Sequence, residues 1–307
     1  MGCSTGSCGT GSGDSASTGA FVPLGNLSKP LIAPPPPIVK PVTIRPAEGT
    51  QLMIGLDVGS TTVKAVVINP ADDKILWRDY QRHDTKQPEK VLEFLKRKLS
   101  LSKDRVALFS SWDHFHYIAE RTPGTVFINA GYQDLPSSPD LSRLQHLALS
   151  PWDEARHDVF TFDLALAYLK QQKPRALVIS FDETDDWAHA RRYDRVLDMI
   201  AAFDGFLRRL WTTLQSMPEY RNSTTLIVTS DHGRGSTLAD WSGHGSKVEG
   251  ADKIWLAILG PDTPAAGEVG THAEQRDIAP TIVKLLGLNP AEYKGATGSP
   301  IRAAFKP

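Results

Sequence analysis

The chain has 307 residues, of which 40% are hydrophobic, and its formal net charge is −1 at pH 7. This length and composition exclude a disordered charged polymer, and the near-neutral charge argues against nucleic acid as a partner. The longest apolar stretches are strand-sized and interrupted by charge, so the sequence predicts no membrane span and a cytoplasmic protein, and it predicts no oligomeric state.

The first 49 residues have a composition that cannot build a packed core. They combine a Gly/Ser/Thr-rich leader with a segment around the Pro34–Pro37 run, and they contain both cysteines, Cys3 and Cys8. Proline-rich sequence favours an extended polyproline II conformation, and small polar residues favour a flexible chain. We therefore predict a disordered leader over residues 1–49 and no disulfide framework.

Three β-rich runs come next, separated by turn residues. They read LMIGLDVG, TTVKAVVIN and ILWRDYQ, and they predict a β-meander. The stretch QPEKVLEFLKRK, residues 87–98, then places four apolar side chains at helical spacing, with a proline near the start of the helix. The sequence thus predicts a meander followed by a helix over residues 50–97.

Strand and helix patterns alternate from about residue 98 onward. The predicted strands read RVALFSS, TVFINA, ALVISFD, TTLIVTSD and IWLAILG, of which the last three have the composition of buried strands. The predicted helices are WDHFHYIAE, 158–171, 188–217 and 277–286. This alternation predicts an α/β fold, with a largely parallel sheet covered by helices on both faces and its chemistry at the carboxyl ends of the strands.

Carboxylate and imidazole residues follow two of these strands. Asp185 and His189 follow ALVISFD and are four residues apart, which places both on one side of a helix. Asp231 and His232 end TTLIVTSD, and His244 follows in WSGHG. Such ligands suit zinc or manganese, and two ions about 4 Å apart can stabilise the attacking and leaving oxygens of a phosphoryl transfer. Taken singly, each motif is also compatible with a surface helix pair or a cap.

The segments FDETDDWAHARRYD, IVTSDHGRG, WSGHG, IWLAILGPDTP and DIAPTIVKLLG, in this order, resemble the C-terminal half of alkaline phosphatase superfamily enzymes. That group includes phosphodiesterases, phosphomutases and sulfatase-like proteins, and the resemblance covers residues 98–290. The ligands that the resemblance implies are Asp185, His189 and His244 for one cation, and Asp231 and His232 for a second.

The resemblance also indicates which residues surround these ligands. His272 is a rival to His244 as the distant ligand, and Arg234, Asp182 and Asp186 are candidates for hydrogen bonds that support the site, with solvated or capping roles left open.

One part of the family pattern is not found in this sequence. In the family an early Asp and a Thr or Ser nucleophile precede the equivalent of RVALFSSWD. Asp57 together with Ser110 or Ser111 has a suitable spacing, but SSWD already matches another part of the pattern. The resemblance therefore implies an N-terminally incomplete core with no identified catalytic nucleophile.

The run GLDVGSTTVKAVVINP resembles the opening of the sugar kinase/heat-shock-70/actin-type ATPases, whose fold is ribonuclease H-like. It is most similar to the activator ATPases of 2-hydroxyacyl-CoA dehydratases. This resemblance implies contacts with ATP-magnesium. The residues concerned are Asp57, Gly59, Ser60, Thr61, Thr62 and Lys64.

The sequence therefore predicts a chimera with three parts: a leader at 1–49, an ATPase fragment at 50–97 and an alkaline phosphatase-like metal-binding domain at 98–307. The predicted function is hydrolysis of small phosphate or sulfate esters with two zinc or manganese ions, impaired by the missing nucleophile region. Two alternatives stay open: an ATP-binding activator of a 2-hydroxyacyl-CoA dehydratase, or an inert chimeric remnant.

Overall fold

A computed structural model describes three N-terminal strands and most of the chain from residue 89 onward. The described residues are 53–58, 62–69, 74–82, 89–295 and 297–307. Within the three strands only the side chain of Asn69 is described. The predicted leader, residues 1–49, lies outside the described residues.

The N-terminal strands form one three-stranded sheet. They are β1 (Met53–Val58), β2 (Thr62–Asn69) and β3 (Lys74–Arg82), and their order in the sheet is β1-β2-β3. Neighbours in sequence are therefore neighbours in the sheet, which agrees with the predicted meander.

The larger part of the structure is built on a parallel sheet of β4 (Val106–Ser110), β5 (Phe127–Ala130) and β6 (Ala176–Ser180). The order is β5-β4-β6, and β4 pairs in parallel with both neighbours. Every residue of the central strand is buried. The predicted α/β fold with a parallel sheet is confirmed.

Seven α-helices occur in the described residues. They are α1 (Val91–Lys98), α2 (Phe115–Ile118), α3 (Pro139–Leu147), α4 (Asp158–Gln172), α5 (Glu183–His189), α6 (Tyr193–Ser216) and α7 (Ile278–Leu285). Short 3-10 helices span Lys103–Arg105, Gln275–Asp277, Pro290–Glu292 and Arg302–Ala304. Among the described helices, none is both long and apolar enough to cross a bilayer.

Alternate residues of β4 pack against helices on opposite faces of the sheet. Ala107 and Phe109 join a buried cluster with side chains of α4. Val106 and Leu108 point the other way and join a second buried cluster with Leu92 of α1. This alternation follows from the pleat of a strand, and it explains why β4 reads as a continuous apolar run.

Helix α1 is part of the core that surrounds β4. The ring of Phe94 is fully buried, with its centroid 5.1 Å from that of Tyr293, and Leu95 packs in the same cluster as Val283 of α7. The predicted domain boundary at residue 98 stays a prediction. We propose that the boundary lies before α1, because this helix contributes buried side chains to the C-terminal part.

The long helix predicted at 188–217 includes the last two residues of α5, a break in the helix, and α6. Arg191, between them, has φ of +57°, a left-handed conformation that an α-helix cannot contain. The first helix therefore ends after His189, and α6 begins at Tyr193.

The last two strands differ from their prediction as buried parallel strands. β7 (Leu226–Thr229) and β8 (Leu256–Leu259) form an antiparallel pair of their own, in the register Leu226 to Leu259. Residues of β8 alternate between half-buried and exposed. An antiparallel pair can leave one face open to solvent, and its apolar sequence does not reveal this.

Candidate metal centre

Two chain segments that leave strands carry the predicted ligands. After β6 the chain enters α5, where Asp185 and His189 are four residues apart and therefore on one side of the helix. Asp185 Oδ2 lies 3.1 Å from His189 Nε2. After β7 the chain carries Asp231 and His232, and the connection onward to β8 carries His244.

Three of these side chains converge on one carboxylate oxygen. Asp185 Oδ1 lies 3.4 Å from His232 Nε2 and 3.6 Å from His244 Nε2. Ligand atoms bound tetrahedrally at about 2.1 Å from a zinc ion lie about 3.4 Å from one another. The spacing and the N/O donor set therefore fit a divalent cation held by Asp185, His232 and His244.

The other two predicted ligands lie next to this group. His189 Nε2 is 2.9 Å from His244 Nε2, and Asp231 Oδ2 is 3.6 Å from His232 Nε2. The rings of His232 and His244 are stacked, with centroids 3.8 Å apart. The structure thus brings all five predicted side chains into one contiguous group. How they divide between two cations stays a prediction.

His272, the predicted rival of His244, is almost fully exposed. Its Nε2 lies 3.8 Å from a carboxylate oxygen of Glu274, and its described contacts do not include the five side chains. This placement favours His244 as the distant ligand.

Arg234 links two segments of the group. Its guanidinium contacts Asp185 Oδ1 and also donates from Nη1 to the carbonyl of Ser242, 3.1 Å away. The predicted supporting hydrogen bond from Arg234 is therefore present in the structure. Because Ser242 lies two residues before His244, Arg234 ties the WSGHG loop to the carboxylate of α5.

Gly233, directly after His232, lies where two backbone segments come close together. A Cβ placed on Gly233 would lie 2.2 Å from the carbonyl oxygen of Gly250, and the Gly233 amide donates to Ala251 O at 2.9 Å. Only glycine allows this approach, which brings the segment after β7 against the segment before β8.

Asp182 and Asp186 form a carboxyl pair beside the ligands. Burial, reinforced by the neighbouring carboxylates, raises the pKa of Asp182 to about 6 and that of Asp186 to about 7. Their position supports the predicted role beside the site.

Two buried carboxylates position α5, and the sequence did not predict this arrangement. The Asp158 carboxylate accepts from the Asp182 amide at 2.9 Å and the Glu183 amide at 3.2 Å, and Glu183 Oε2 accepts from the Asp158 amide at 2.7 Å. Each carboxylate thus caps the start of the other residue's helix. The only sequence signal was an acidic residue at the start of each of two predicted elements.

Neither serine considered as a substitute nucleophile is accessible. Ser110 and Ser111 are completely buried, and Ser111 Oγ donates to Asp158 Oδ1 at 2.6 Å. A dissolved ester cannot reach either hydroxyl, so this hypothesis is wrong. For Asp57, Thr62 and Lys64 no side chain is described. The other predicted nucleotide-binding residues, Gly59, Ser60 and Thr61, lie outside the described residues.

Comparison with known proteins identifies the part of the chain that contains this group. The family model described as "Metalloenzyme superfamily" matches residues 153–290. Residues 153–290 are a metalloenzyme superfamily domain. All five predicted ligands lie within this metalloenzyme domain, whereas β4, β5 and α1 precede it.

Two curated relatives carry the same name, 2,3-bisphosphoglycerate-independent phosphoglycerate mutase. The protein from Gracilaria tenuistipitata var. liui is 24% identical over 175 residues, which are 56% of this chain and 33% of the relative. The protein from Haloarcula marismortui is 23% identical over 219 residues, which are 70% of this chain and 39% of the relative. The chain thus spans between a third and two fifths of the length of these relatives.

The comparisons give a correction to the predicted N-terminal fusion. They match a metalloenzyme domain and phosphoglycerate mutases, and they do not support the resemblance to activator ATPases over residues 50–97. The run GLDVGSTTVKAVVINP that carried this resemblance is short, and Gly and Thr are also common where two strands are joined by a turn.

Proposed function

We propose that the metalloenzyme domain binds divalent cations and catalyses metal-dependent phosphoryl transfer from a small phosphate ester, with hydrolysis as the simplest form of this reaction. The proposed ligands are Asp185, His189, Asp231, His232 and His244. The observation that carries the proposal is the convergence of Asp185, His232 and His244 within 3.6 Å. The relatives add support, because their name gives phosphoglycerate as the molecule on which they act.

The side chains of the group have separate tasks in this proposal. A divalent cation, when bound, supplies positive charge that stabilises the negative charge developing on the ester oxygens. Asp185 provides the carboxylate around which the imidazoles converge. Arg234 holds that carboxylate in place, and its planar guanidinium is also suited to bind a phosphate oxygen at the edge of the group.

We propose zinc or manganese as the cation, because imidazole and carboxylate together suit these ions. Phosphate is proposed ahead of sulfate as the transferred group, because both relatives are named for a phosphate ester. Since Ser110 and Ser111 are buried, we expect slow turnover of simple esters.

Metal analysis of the full chain after dialysis tests the cation site. We expect one or two zinc or manganese ions per wild-type chain and fewer in Asp231→Ala and His232→Ala, because each variant loses a donor atom. His272→Ala is the matched control, since it also removes a histidine but lies outside the group. Wild-type protein without metal would contradict the proposal.

Turnover of three esters tests the reaction class. Wild-type protein is assayed with p-nitrophenyl phosphate, bis(p-nitrophenyl) phosphate and p-nitrophenyl sulfate, before and after removal of metal with a chelator. We expect hydrolysis of a phosphate ester that is lost with the metal and restored when zinc or manganese is added. If the protein binds metal but turns over none of the three esters, the proposed phosphoryl transfer is refuted and only cation binding remains.

A further inference from the structure

A second group of nitrogen and oxygen donors lies outside the metal centre. Its members are Asp113 and His114, which follow β4, and Glu154, which precedes α4. None of them is among the predicted ligands. The three side chains are between 45% and 65% exposed, so a dissolved cation can reach them.

The donor atoms have the spacing of a cation site. His114 Nδ1 lies 2.7 Å from Asp113 Oδ1 and 3.8 Å from Glu154 Oε2, and all three atoms fall within 4.8 Å of one another. These two distances bracket the separation of about 3.4 Å between ligands of a tetrahedral zinc ion. Small side-chain rotations would equalise them.

The two segments are held together by backbone bonds that do not involve the donor atoms. Asp113 N donates to Glu154 O at 3.0 Å, and Arg156 N donates to Ser111 O at 3.1 Å. Trp112 and Ala155 form an antiparallel bridge within this short ribbon. The ribbon fixes the backbone positions of Asp113 and Glu154 before any cation binds, which lowers the entropic cost of binding.

The ring of His114 has a restricted orientation. It stacks on the indole of Trp112, with centroids 4.5 Å apart and planes inclined by 19°. In this orientation Nδ1 faces both carboxylates. The Trp112 Nε1 also approaches Glu154 Oε2 at 3.4 Å, which brings this carboxylate towards the ring.

We propose that Asp113, His114 and Glu154 form a separate surface site for a divalent transition-metal ion of the zinc class. One imidazole nitrogen and two carboxylate oxygens are a donor set suited to such an ion, and the exposed side leaves a coordination position for water. The bound cation fastens the segment before α4 to the end of β4. This inference does not rest on the proposed function, because the two groups share no residue.

Zinc titration of the full chain, with a chromophoric chelator as competitor, tests the site. We expect His114→Ala and Glu154→Gln each to lose one equivalent of bound zinc relative to wild type. His116→Ala is the matched control: it removes a histidine two residues further along the chain, in α2, and His116 is not in the donor group, so the variant keeps the wild-type number of bound zinc ions. His232→Ala loses zinc from the other group, and the variant His114→Ala/His232→Ala shows both losses.

Several outcomes would overturn the inference. If His114→Ala and Glu154→Gln bind as many zinc ions as wild type, the three side chains are only an ion-paired cluster. The same conclusion follows if the zinc titration curves of wild type and His114→Ala are identical. Circular dichroism of each variant and retention of the equivalent that depends on His232 show that the loss is local.

Discussion

Arg156 brings a positive charge into the interior and distributes it over neutral partners. Its Nε donates to Thr161 Oγ1 at 2.8 Å, and its Nη1 donates to Asn129 Oδ1 at 2.7 Å and Gln145 Oε1 at 3.2 Å. Burial lowers the pKa of Arg156 to about 10, so the side chain remains charged at neutral pH. One residue thus connects β5, α3 and α4.

Replacing Arg156 by Met tests this network. The variant leaves the side-chain oxygens of Asn129 and Gln145 without their donor, and each unpaired buried acceptor costs about 1–3 kcal/mol. We expect the free energy of unfolding, measured with urea, to fall by at least about 2 kcal/mol. Arg143→Met, on the exposed face of α3, is the control and is expected to stay within about 0.5 kcal/mol of wild type. An equal effect of both substitutions would contradict the network.

His157 has an acceptor at each ring nitrogen. Nδ1 lies 2.9 Å from Glu183 Oε1 and Nε2 lies 3.0 Å from Leu149 O, so both nitrogens donate only when the ring is protonated. The hydrogen bond to Glu183 raises the pKa of His157 from 6.5 to about 9. Protonated His157 therefore makes its full contribution to the free energy of unfolding below pH 6.5, and this contribution is lost as the pH rises through 9.

Thermal melts between pH 7 and pH 9 test this dependence. Burial raises the pKa of Asp158 and that of Asp186 to about 7, so both carboxyls still titrate at the lower end of this window. Both proteins contain these carboxyls, so the difference between wild type and His157→Gln reports His157. We expect the melting temperature of wild type to fall across the window and that of His157→Gln to fall less. His116→Gln is expected to follow wild type. A steeper fall in His157→Gln would refute this assignment.

The ease of predicting these residues follows from sequence separation. Asp185 and His189 are four apart and Asp231 and His232 are adjacent, so each pair forms a local pattern at the end of a predicted strand, and the family resemblance implied that these patterns hold metal. The partners His157 and Glu183 are 26 residues apart, and Asp158 and Ser111 are 47 apart. Such pairs are defined by how β4, α4 and α5 pack, and no local pattern records that packing.

Helix α1 is short, but it contributes buried side chains to two clusters of the core. It has only 8 residues, too few for a stable isolated helix, so packing must hold it in place. Its buried face contacts β4 on one side and α7 on the other.

Substitution of Phe94 measures that contribution. Phe94→Ala removes a fully buried ring from its contact with Tyr293, and we expect it to destabilise the full chain by about 3–5 kcal/mol. Phe94→Leu keeps most of the volume and should cost less than about 1.5 kcal/mol. Urea unfolding gives both values. A negligible effect of Phe94→Ala would place the domain boundary after α1.

Most strands and helices were predictable because their apolar periodicity is local. The run RVALFSS predicted β4. The pattern at 158–171 predicted α4, which ends one residue later than predicted. Two features were not predictable. The direction of β7 relative to β8 depends on pairing between distant segments, and α3 has a largely polar sequence that gave no helical signal.

At the scale of the whole molecule, a cation bound only by the folded chain must stabilise it. At a zinc concentration of 100 times the dissociation constant, the expected gain is about 2.7 kcal/mol. We therefore expect zinc to raise the melting temperature of wild type, and to raise it less in Asp185→Asn/His244→Ala. An equal rise in both proteins would contradict binding at the proposed ligands. His272→Ala is the control, because this variant keeps all the proposed ligands.

The reciprocal capping between α4 and α5 makes Asp158 and Glu183 a single thermodynamic unit. Each carboxylate bonds to the backbone segment that carries the other, so removing one loosens the α4–α5 contact on which the other's hydrogen bond depends, and the second substitution disrupts less. In a double-mutant cycle, Asp158→Asn/Glu183→Gln should cost less than the sum of the two single variants, with a coupling of about 0.5–3 kcal/mol. Because Glu183 lies two residues before Asp185, we expect this coupling to extend to the affinity of the proposed cation site, and tolerance to change at position 158 to depend on the residue at 183.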